Sequence, residues 1–511
     1  MRLAATLTAA AVLALAPEAA RGAGSAALFP IEQTGIPSPA GPGSRAAVFS
    51  ADRDGGVWLA WIEVPQPLPP PAAAAAPVVR CAHFDPASGR WGSPRVIASA
   101  TGWTDGDDSP AITASAKGHL AAAWTVRQPG PTVLVSQSDD EGATWSPPLP
   151  LSKESRSAGQ VSLATLQDGR VLAAWLDARS AGKTALFLRF LSGPMTIAPD
   201  YAFDPSVSEG CQPQMAELLD GGAVLLYRAI ADEGARDIAI ARLHGRRWED
   251  RHVLSPDNWI PHGAPSPAQV AGPAIAADGS RLAAAWFTGA DEDPRLLYSS
   301  SSDAGTRFLM PIRLADGIGS GRPSVALIHD GAALVSWVAP AAGSATGEVR
   351  LCRVSPELEA GAPITLGVPA SGCPAASPRL ALVSDFTGGH AKPRAIVAYT
   401  APGPVVRTVA VTVPERQLLE AANTNCNCGA TPEQLLGYPI SGSIVSLSPD
   451  FGTLVIETGL IPGLLEPGQH VFFASRDQMR PLKEGSQCLA RVERRDGSWW
   501  LYDVKLLAEA L

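Results

Sequence analysis

The segment LQDGRVLAAW, from Leu166 to Trp175, contains the pattern that decides the fold of this 511-residue chain. An Asp-Gly pair separates two short apolar stretches, and the second stretch ends in an aromatic residue. Asp and Gly tolerate the positive φ that a tight hairpin needs, so the pattern predicts two antiparallel strands joined by a turn. The second stretch recurs along the chain, with its terminal aromatic at Trp61, Trp124, Trp175, Tyr227, Trp286, Trp337 and Tyr399.

These aromatics are spaced at intervals of 51 to 63 residues. A period of this length, with about four short strands in each unit, is typical of a β-propeller. One small sheet cannot bury both of its faces, so we interpret the aromatics as core packing between neighbouring blades. Seven copies predict an all-β propeller of seven blades, with six as the alternative. The seventh copy lacks an outer strand, and the segment from Ala27 to Thr34 is the candidate to supply it.

The composition agrees with an all-β protein. The chain contains 49 Gly and 47 Pro, while charged residues make up 17% and aromatics 6%. It is too apolar for a disordered chain, and its Gly and Pro are too scattered for collagen. The formal net charge is -9, and no block of Lys and Arg is present. We therefore expect no nucleic-acid partner.

Residues 1–23 are predicted to be a signal peptide. Arg2 precedes an uncharged apolar stretch from Leu3 to Ala16, and small residues follow, with cleavage expected between Ala19 and Ala27. A buried N-terminal helix is the alternative. No apolar run reaches the length of about 18 residues that a spanning helix requires, so we expect no membrane span after removal of the signal. The expected location is periplasmic or extracellular.

Two segments, SDDEGATW from Ser138 to Trp145 and SSDAGTRF from Ser301 to Phe308, have a sharper motif. Both match the Asp-box, S-x-D-x-G-x-x-W/F, and the chain from about residue 28 to 415 resembles the secreted bacterial sialidase-like (BNR-repeat) propellers. In each copy the Asp accepts hydrogen bonds from turn amides, the Gly permits the reversal and the aromatic packs beneath. We assign a structural role to Ser138, Asp140, Gly142, Trp145, Ser301, Asp303, Gly305 and Phe308.

The resemblance implies a test for sialidase activity. Active members need three arginines around the substrate carboxylate, a Tyr nucleophile with a Glu, and an Asp acid/base. The family's first arginine motif is missing. Arg45, Arg228 and Arg322 are candidates to converge, with surface or inter-blade salt bridges as the alternative. Among six tyrosines, Tyr201 is the one plausible loop residue, and it lies in the wrong blade. Catalytic residues are therefore unknown, and an enzyme is the less favoured interpretation.

A ligand site in a propeller is expected at the mouth of the central channel, on the loops that join strands. Polar residues after the second strands of the third and fourth repeats are candidates for a glycan, another polar ligand or a protein. The alternative is a solvated hairpin tip with internal ion pairs. These candidates are Asp177, Arg179, Arg228, Glu233, Arg236 and Asp237.

The propeller is assigned to residues 27–416, and the chain beyond it is predicted to form a second domain. Residues 438–511 contain five predicted strands, which suggest a small barrel of OB type. The frame from Gly442 and the closing DGSWWLYDV resemble the periplasmic copper-binding domains of metal-efflux systems. That family uses a His and two Met residues, but Thr458, Gln469 and Val471 stand at those positions, so inherited copper binding is doubtful.

The linker at residues 417–437 contains Cys426 and Cys428. A C-x-C pair is able to bind Cu(I), because soft thiolates favour the soft monovalent ion. A disulfide or unligated thiols are the alternative, so no cofactor is certain. The leading hypothesis is an exported binding propeller without sialidase activity. A glycoside hydrolase with divergent catalytic residues and a periplasmic copper-handling protein are the alternatives.

Overall fold

The computed structural model divides the chain into two compact units, Met1–Leu418 and Leu419–Leu511. Each unit is treated by itself. The described residues are 31–506, with gaps at 53–54, 66–75, 104–108, 116–117, 128–129, 153–156, 181–182, 193–195, 198–199, 219, 232–233, 246, 250, 256–258, 261–271, 318–320, 329–330, 342–343, 371–376, 384–393, 413–437, 449–452, 459–467, 475–478, 481 and 496–497. The predicted signal peptide and the C-x-C linker lie outside them.

The first unit consists of antiparallel sheets that follow one another along the chain, after a single strand, β1 (Glu32–Ile36). Blade 1 contains β2 (Ser44–Ala51), β3 (Val57–Glu63), β4 (Val78–Asp85), β5 (Arg90–Trp91) and β6 (Arg95–Ser99). Blade 2 contains β7 (Ala111–Ala114), β8 (Leu120–Val126), β9 (Thr132–Ser138) and β10 (Leu149–Pro150).

The next three sheets have the same order of strands. Blade 3 contains β11 (Ala158–Thr165), β12 (Val171–Ser180), β13 (Lys183–Ser192), β14 (Thr196–Ile197) and β15 (Tyr201–Asp204). Blade 4 contains β16 (Gln214–Glu217), β17 (Ala223–Arg228), β18 (Ile238–His244), β19 (Arg247–Trp248) and β20 (His252–Ser255). Blade 5 contains β21 (Ala274–Asp278), β22 (Arg281–Thr288), β23 (Arg295–Ser301) and β24 (Ile312–Asp316).

Two further sheets complete a ring. Blade 6 contains β25 (Ser324–Leu327), β26 (Ala333–Ala341), β27 (Ser344–Val354) and β28 (Ile364–Gly367). Blade 7 contains β29 (Arg379–Val383), β30 (Arg394–Ala401), β31 (Val405–Thr412) and the early strand β1. The first strand of each blade contacts the first strand of the next, and β29 contacts β2. The described residues thus form seven sheets around one axis.

The outer strand of blade 7 comes from the start of the described chain. β1 pairs antiparallel with β31, from Glu32 opposite Thr412 to Ile36 opposite Thr408. The sequence places this strand at Ala27 to Thr34, so the structure moves its end two residues later. The two ends of the propeller meet in one sheet, and this pairing closes the ring.

The recurring aromatics fill the spaces between blades. Trp175 of blade 3 has no exposed surface and packs with Ala121 and Val133 of blade 2. Trp286 of blade 5 packs in the same way against Leu226 of blade 4. All seven aromatics are at most 5% exposed. The interpretation of these residues as inter-blade core is confirmed.

The Asp-box of blade 2 follows β9. Ser138 Oγ accepts a hydrogen bond from the Gly142 amide at 2.9 Å and donates one to Asp140 Oδ1 at 2.9 Å. Asp140 also accepts bonds from Thr144, at 2.8 Å from its amide and 2.6 Å from its hydroxyl. Gly142 has a φ of +75°, which favours glycine. Trp145 is partly buried against the core between blades 1 and 2, so the motif stabilises the turn as predicted.

The Asp-box of blade 5 repeats this geometry after β23. The Gly305 amide donates to Ser301 Oγ at 3.0 Å, and the Arg307 amide donates to Asp303 Oδ1 at 2.9 Å. Phe308 packs against the core between blades 4 and 5. The structural role of the motif is therefore the same in both blades.

The second unit is a closed five-stranded barrel, in agreement with the predicted number of strands. Its strands are β32 (Tyr438–Ser448), β33 (Thr453–Thr458), β34 (Gly468–Phe473), β35 (Gln487–Arg495) and β36 (Ser498–Leu506). They close in the order β32-β33-β34-β36-β35. Ile456, Phe472 and Cys488 lie in its core.

Candidate functional site

The connections of the propeller separate its two ends. Because the strands of a blade are antiparallel, the Asp-Gly turns and the Asp-boxes lie at one end of the ring. The loops that precede first strands, and those that join second to third strands, lie at the opposite end. We call this opposite end the mouth. The sequence-predicted ligand candidates that the structure describes belong to its loops or to strand ends beside them.

A cavity of about 200 Å³ lies on the axis of the ring, lined by residues of the first strands of all seven blades or directly before them. This volume is below the range of about 300–1,000 Å³ that is usual for small-molecule pockets. Six polar side chains are among its described lining residues, and none of them is acidic. They are Ser162, Gln212, Gln214, Arg322, Ser324 and Arg379.

Two of these side chains are buried arginines from neighbouring blades. Arg322 precedes β25 and Arg379 begins β29, and each is 8% exposed. Arg322 Nη1 is buried and has no hydrogen-bond partner in the part of the chain that the structure describes. Arg379 donates from Nη1 to the Pro378 carbonyl at 3.0 Å and from Nη2 to Ser109 Oγ at 3.3 Å. Among the described residues, no carboxylate forms an ion pair with either arginine.

The burial of these two arginines side by side is electrostatically unfavourable. Burial, and then the charge of Arg379, lower the pKa of Arg322 well below its ordinary value. Burial lowers the pKa of Arg379 to about 10. Both guanidinium groups keep their protons at neutral pH. Buried charges in proteins are normally paired, so this pair is an exception that needs an explanation.

Arg228, by contrast, joins two blades. It has no exposed surface, and it donates from Nη1 to the Arg236 carbonyl at 2.9 Å and from Nη2 to the Phe287 carbonyl at 2.6 Å. Its guanidinium carbon lies 5.2 Å from the centre of the Trp259 ring. These contacts link β17 to the end of β22, which agrees with the inter-blade alternative rather than with ligand binding.

The other blade 4 candidates are also held by the protein. Arg236 Nη1 donates to Ser208 Oγ at 2.7 Å. Asp237 is 5% exposed, and its carbonyl accepts a bond from the Ala229 amide at 2.9 Å. Glu233 lies outside the described residues.

Asp177 and Arg179 form an internal ion network in blade 3. Asp177 has no exposed surface, and its Oδ2 lies 3.0 Å from Arg179 Nη2. Arg179 Nη1 lies 2.8 Å from Asp200 Oδ2, and the guanidinium carbon lies 3.8 Å from the centre of the Phe187 ring. This geometry is that of the internal ion pairs that were the alternative to a ligand site.

The proposed arginine triad is not brought together in the axial cavity. Of its three members, Arg322 lines the cavity, whereas Arg45 and Arg228 are not among the described lining residues. Arg45 instead lies 6.0 Å from the ring centre of Trp103. Tyr201 is 39% exposed on blade 3 and does not line the cavity either.

Arg379 is the charged cavity residue that the sequence analysis did not single out, and Ser162, Gln212, Gln214 and Ser324 were not singled out either. A signal for Arg379 is present, because GRPSV at Gly321 to Val325 and SPRLA at Ser377 to Ala381 occupy equivalent places in successive repeats. Alignment of the repeats by their first strands brings the two arginines to the same end of the ring.

Residues 77–259 match the family described as BNR repeat-like domain. Similar solved structures include the BP39L lectin from Burkholderia pseudomallei, with 13% identity over 73% of this chain and 97% of the lectin and a TM-score of 0.51. The N11 neuraminidase-like protein of A/flat-faced bat/Peru/033/2010 is 10% identical over 76% of this chain and 94% of that protein, with a TM-score of 0.42.

The Hadza microbial sialidase Hz136 is 14% identical, with a TM-score of 0.37, over 57% of this chain. The matched part of this chain spans 63% of that sialidase. No curated protein matches the chain. Identities this low show the fold alone, and the family match ends before the barrel begins.

Two findings bear on membranes and metals. Within the described ranges, no helix has the length and apolar character needed to cross a membrane. In the same part of the chain, no group of three or more His, Cys, Asp or Glu side chains is arranged to hold a metal ion. The four described cysteines, Cys81, Cys211, Cys352 and Cys488, are buried and form no disulfide. The candidate Cu(I) ligands Cys426 and Cys428 lie outside the described residues.

Proposed function

We propose that this protein is an exported binding propeller that holds an anionic ligand at the mouth of its channel and does not hydrolyse sialosides. One observation carries the proposal. The axial cavity is lined by two nine-tenths-buried arginines, and its described lining includes neither the carboxylate nor the tyrosine that sialidase chemistry needs.

A binding role accounts for the cost of this arrangement. Two buried charges that no described carboxylate pairs destabilise the free protein, whereas an anion between them pairs both and satisfies their open donors. A lectin has this fold, so the fold is compatible with carbohydrate recognition. Anionic glycans are therefore the first ligand class to test.

Turnover distinguishes this proposal from the glycoside hydrolase alternative, which the sialidase-like fold favours. We expect no protein-dependent hydrolysis of fluorogenic sialosides between pH 4 and 8, judged against an active sialidase in the same assay. We also expect retention of anionic glycans on an array by the wild type, and its loss in Arg322→Gln. Hydrolysis that disappears in Arg322→Gln would establish an enzyme and contradict the proposal.

Export and Cu(I) binding are tested separately. Export predicts a new N-terminus between residues 19 and 27 when the full chain is expressed in a secreting host. An intact N-terminus on secreted protein would contradict cleavage. Cu(I) titration of the full chain against a competing chelator, compared with a Cys426→Ser, Cys428→Ser variant, tests the copper alternative.

A further inference from the structure

We infer that the axial cavity binds a compact tetrahedral oxyanion of the sulfate or phosphate type between Arg322 and Arg379. This inference rests on the proposed binding role and names the chemical class of the ligand. The anion is either free or the terminal group of a larger molecule whose remainder stays outside the channel.

The first support is the geometry of the donors. Arg322 and Arg379 lead into the first strands of adjacent blades, so their guanidinium groups reach the cavity from neighbouring sectors of the ring. Arg322 Nη1 and Arg379 Nε form no hydrogen bond with any described residue, and both atoms are shielded from solvent. Guanidinium donors form paired hydrogen bonds with oxyanions, which gives both affinity and orientation.

The charges of Arg322 and Arg379 also favour an anion with two negative charges. The side chain of Arg379 contacts only neutral groups among the described residues, the Pro378 carbonyl and the Ser109 hydroxyl. A carboxylate would neutralise one of the two arginines and leave the other unpaired in a site of low dielectric. A dianion neutralises both, and it converts the repulsion between two like charges into two attractions.

The third support is the size and polarity of the cavity. A volume of about 200 Å³ is small for a substituted sugar but holds an anion with some water, since one water occupies about 30 Å³ in the liquid. Ser162 Oγ, on the β11 side of the same cavity, is a third buried polar atom that forms no hydrogen bond with the described residues. Ser324 Oγ accepts a bond from the Leu380 amide at 3.0 Å, and a hydroxyl group is also able to donate one hydrogen bond.

Three aspartates precede Ser109 in the sequence, at positions 105, 107 and 108, outside the described residues. A carboxylate among them that paired with either arginine would compete with the anion. The experiment therefore includes a variant in which all three are asparagine.

The test measures the affinity of the full chain for sodium sulfate and sodium phosphate by calorimetry, at constant ionic strength maintained with chloride. We expect saturable binding by the wild type. Arg322→Gln and Arg379→Gln should each weaken it at least tenfold. Arg407→Gln, which changes an exposed arginine on β31, should bind like the wild type. No saturable binding by the wild type would overturn the inference.

Thermal unfolding separates a ligand role from a structural one. Without anion, Arg322→Gln should unfold at or above the wild-type temperature, because it removes an unpaired buried charge. With saturating sulfate the order should reverse, since only the wild type gains stability from the ligand. An equal loss of stability with and without sulfate would make Arg322 a structural residue and overturn the inference.

Two further experiments identify the source of the anion and distinguish failure of this inference from failure of the proposed function. A sulfated or phosphorylated sugar that binds more tightly than the inorganic ion identifies a terminal group, while equal affinity identifies the free ion. Retention of an unsulfated sialoside, with no affinity for either inorganic ion, would leave the proposed function standing and defeat this inference. Sulfate binding only by the triple asparagine variant would show that the chain's own carboxylates fill the cavity, which also defeats it.

Discussion

At the scale of single residues, the same side chain has different roles at different places in the repeat. The arginine at the end of a second strand, Arg228, is held between two blades by backbone carbonyls. The arginines before or at the start of first strands, Arg322 and Arg379, line the axis. For these three arginines, position within the blade decides whether the side chain joins two blades or lines the axial cavity.

The inter-blade tryptophans should dominate the stability of the propeller. Trp175→Ala should lower the free energy of unfolding by about 3–5 kcal/mol, the usual cost of removing a large buried aromatic. Trp175→Phe should cost less, because it leaves a smaller cavity. Urea unfolding followed by circular dichroism measures both. A loss below 1 kcal/mol for Trp175→Ala would contradict the packing assigned to it.

The Asp-box of blade 2 should make stability depend on pH in the acid range. Hydrogen bonds from the Thr144 hydroxyl and amide lower the pKa of Asp140 to about 2, below its ordinary value of 3.8. A lowered pKa in the folded state stabilises the protein above the unfolded pKa, and this contribution is lost as pH falls through the folded pKa.

The urea midpoint of Asp140→Asn should therefore lie below that of the wild type above about pH 4, and the difference should shrink towards pH 2. Thr144→Val is the matched control. It removes the hydroxyl donor and keeps the carboxylate, so its urea midpoint should fall below that of the wild type by less than the midpoint of Asp140→Asn does. A difference that is constant from pH 2 to 7 would show that the charge of Asp140 is not what stabilises the turn.

At the scale of strands and blades, the closing strand is the element with the most distant partner. Two truncated variants test the role of this strand. One lacks residues 1–30 and the other lacks residues 1–36, so they differ only by residue 31 and β1. The longer deletion removes the outer strand of blade 7 and exposes the edge of β31.

We expect the longer deletion to lower the melting temperature by several degrees and to increase aggregation in light scattering. The shorter deletion should behave like the full chain. Equal melting temperatures for the two truncations would indicate that β1 does not contribute to closure.

Much of this element-scale architecture is predictable from the sequence, because the signals are local. The Asp-Gly turns and the terminal aromatics determine two strands in each repeat, and both Asp-boxes have the expected hydrogen bonds. The axial site is less predictable, since the direction in which a side chain faces depends on register. β2 changes register between Arg45 and Val48, where Ala46 has a φ of +59°, and a bulge of this kind redirects side chains.

At the scale of the whole molecule, two separate cores predict two unfolding units. Phe472 is fully buried in the barrel, whose core cluster contains no propeller residue. Phe472→Ala should destabilise the barrel by about 3–5 kcal/mol and leave the propeller unchanged. Differential scanning calorimetry should then show one transition that moves and another that does not. A uniform shift of all transitions would indicate that the two units unfold together.

The pairing of β1 with β31 also determines when the ring can close during synthesis of the protein. Ile36 is synthesised 372 residues before its partner Thr408. At about 5–20 residues per second, the ribosome leaves β1 without its partner for roughly 20 to 75 s. Until β31 is made, even a chain with six complete blades has an open gap in the ring. Exposed strand edges at such a gap are prone to pair with the wrong chain. The yield of folded protein should therefore depend on the speed of translation and on chaperones that bind the exposed edges of the incomplete ring.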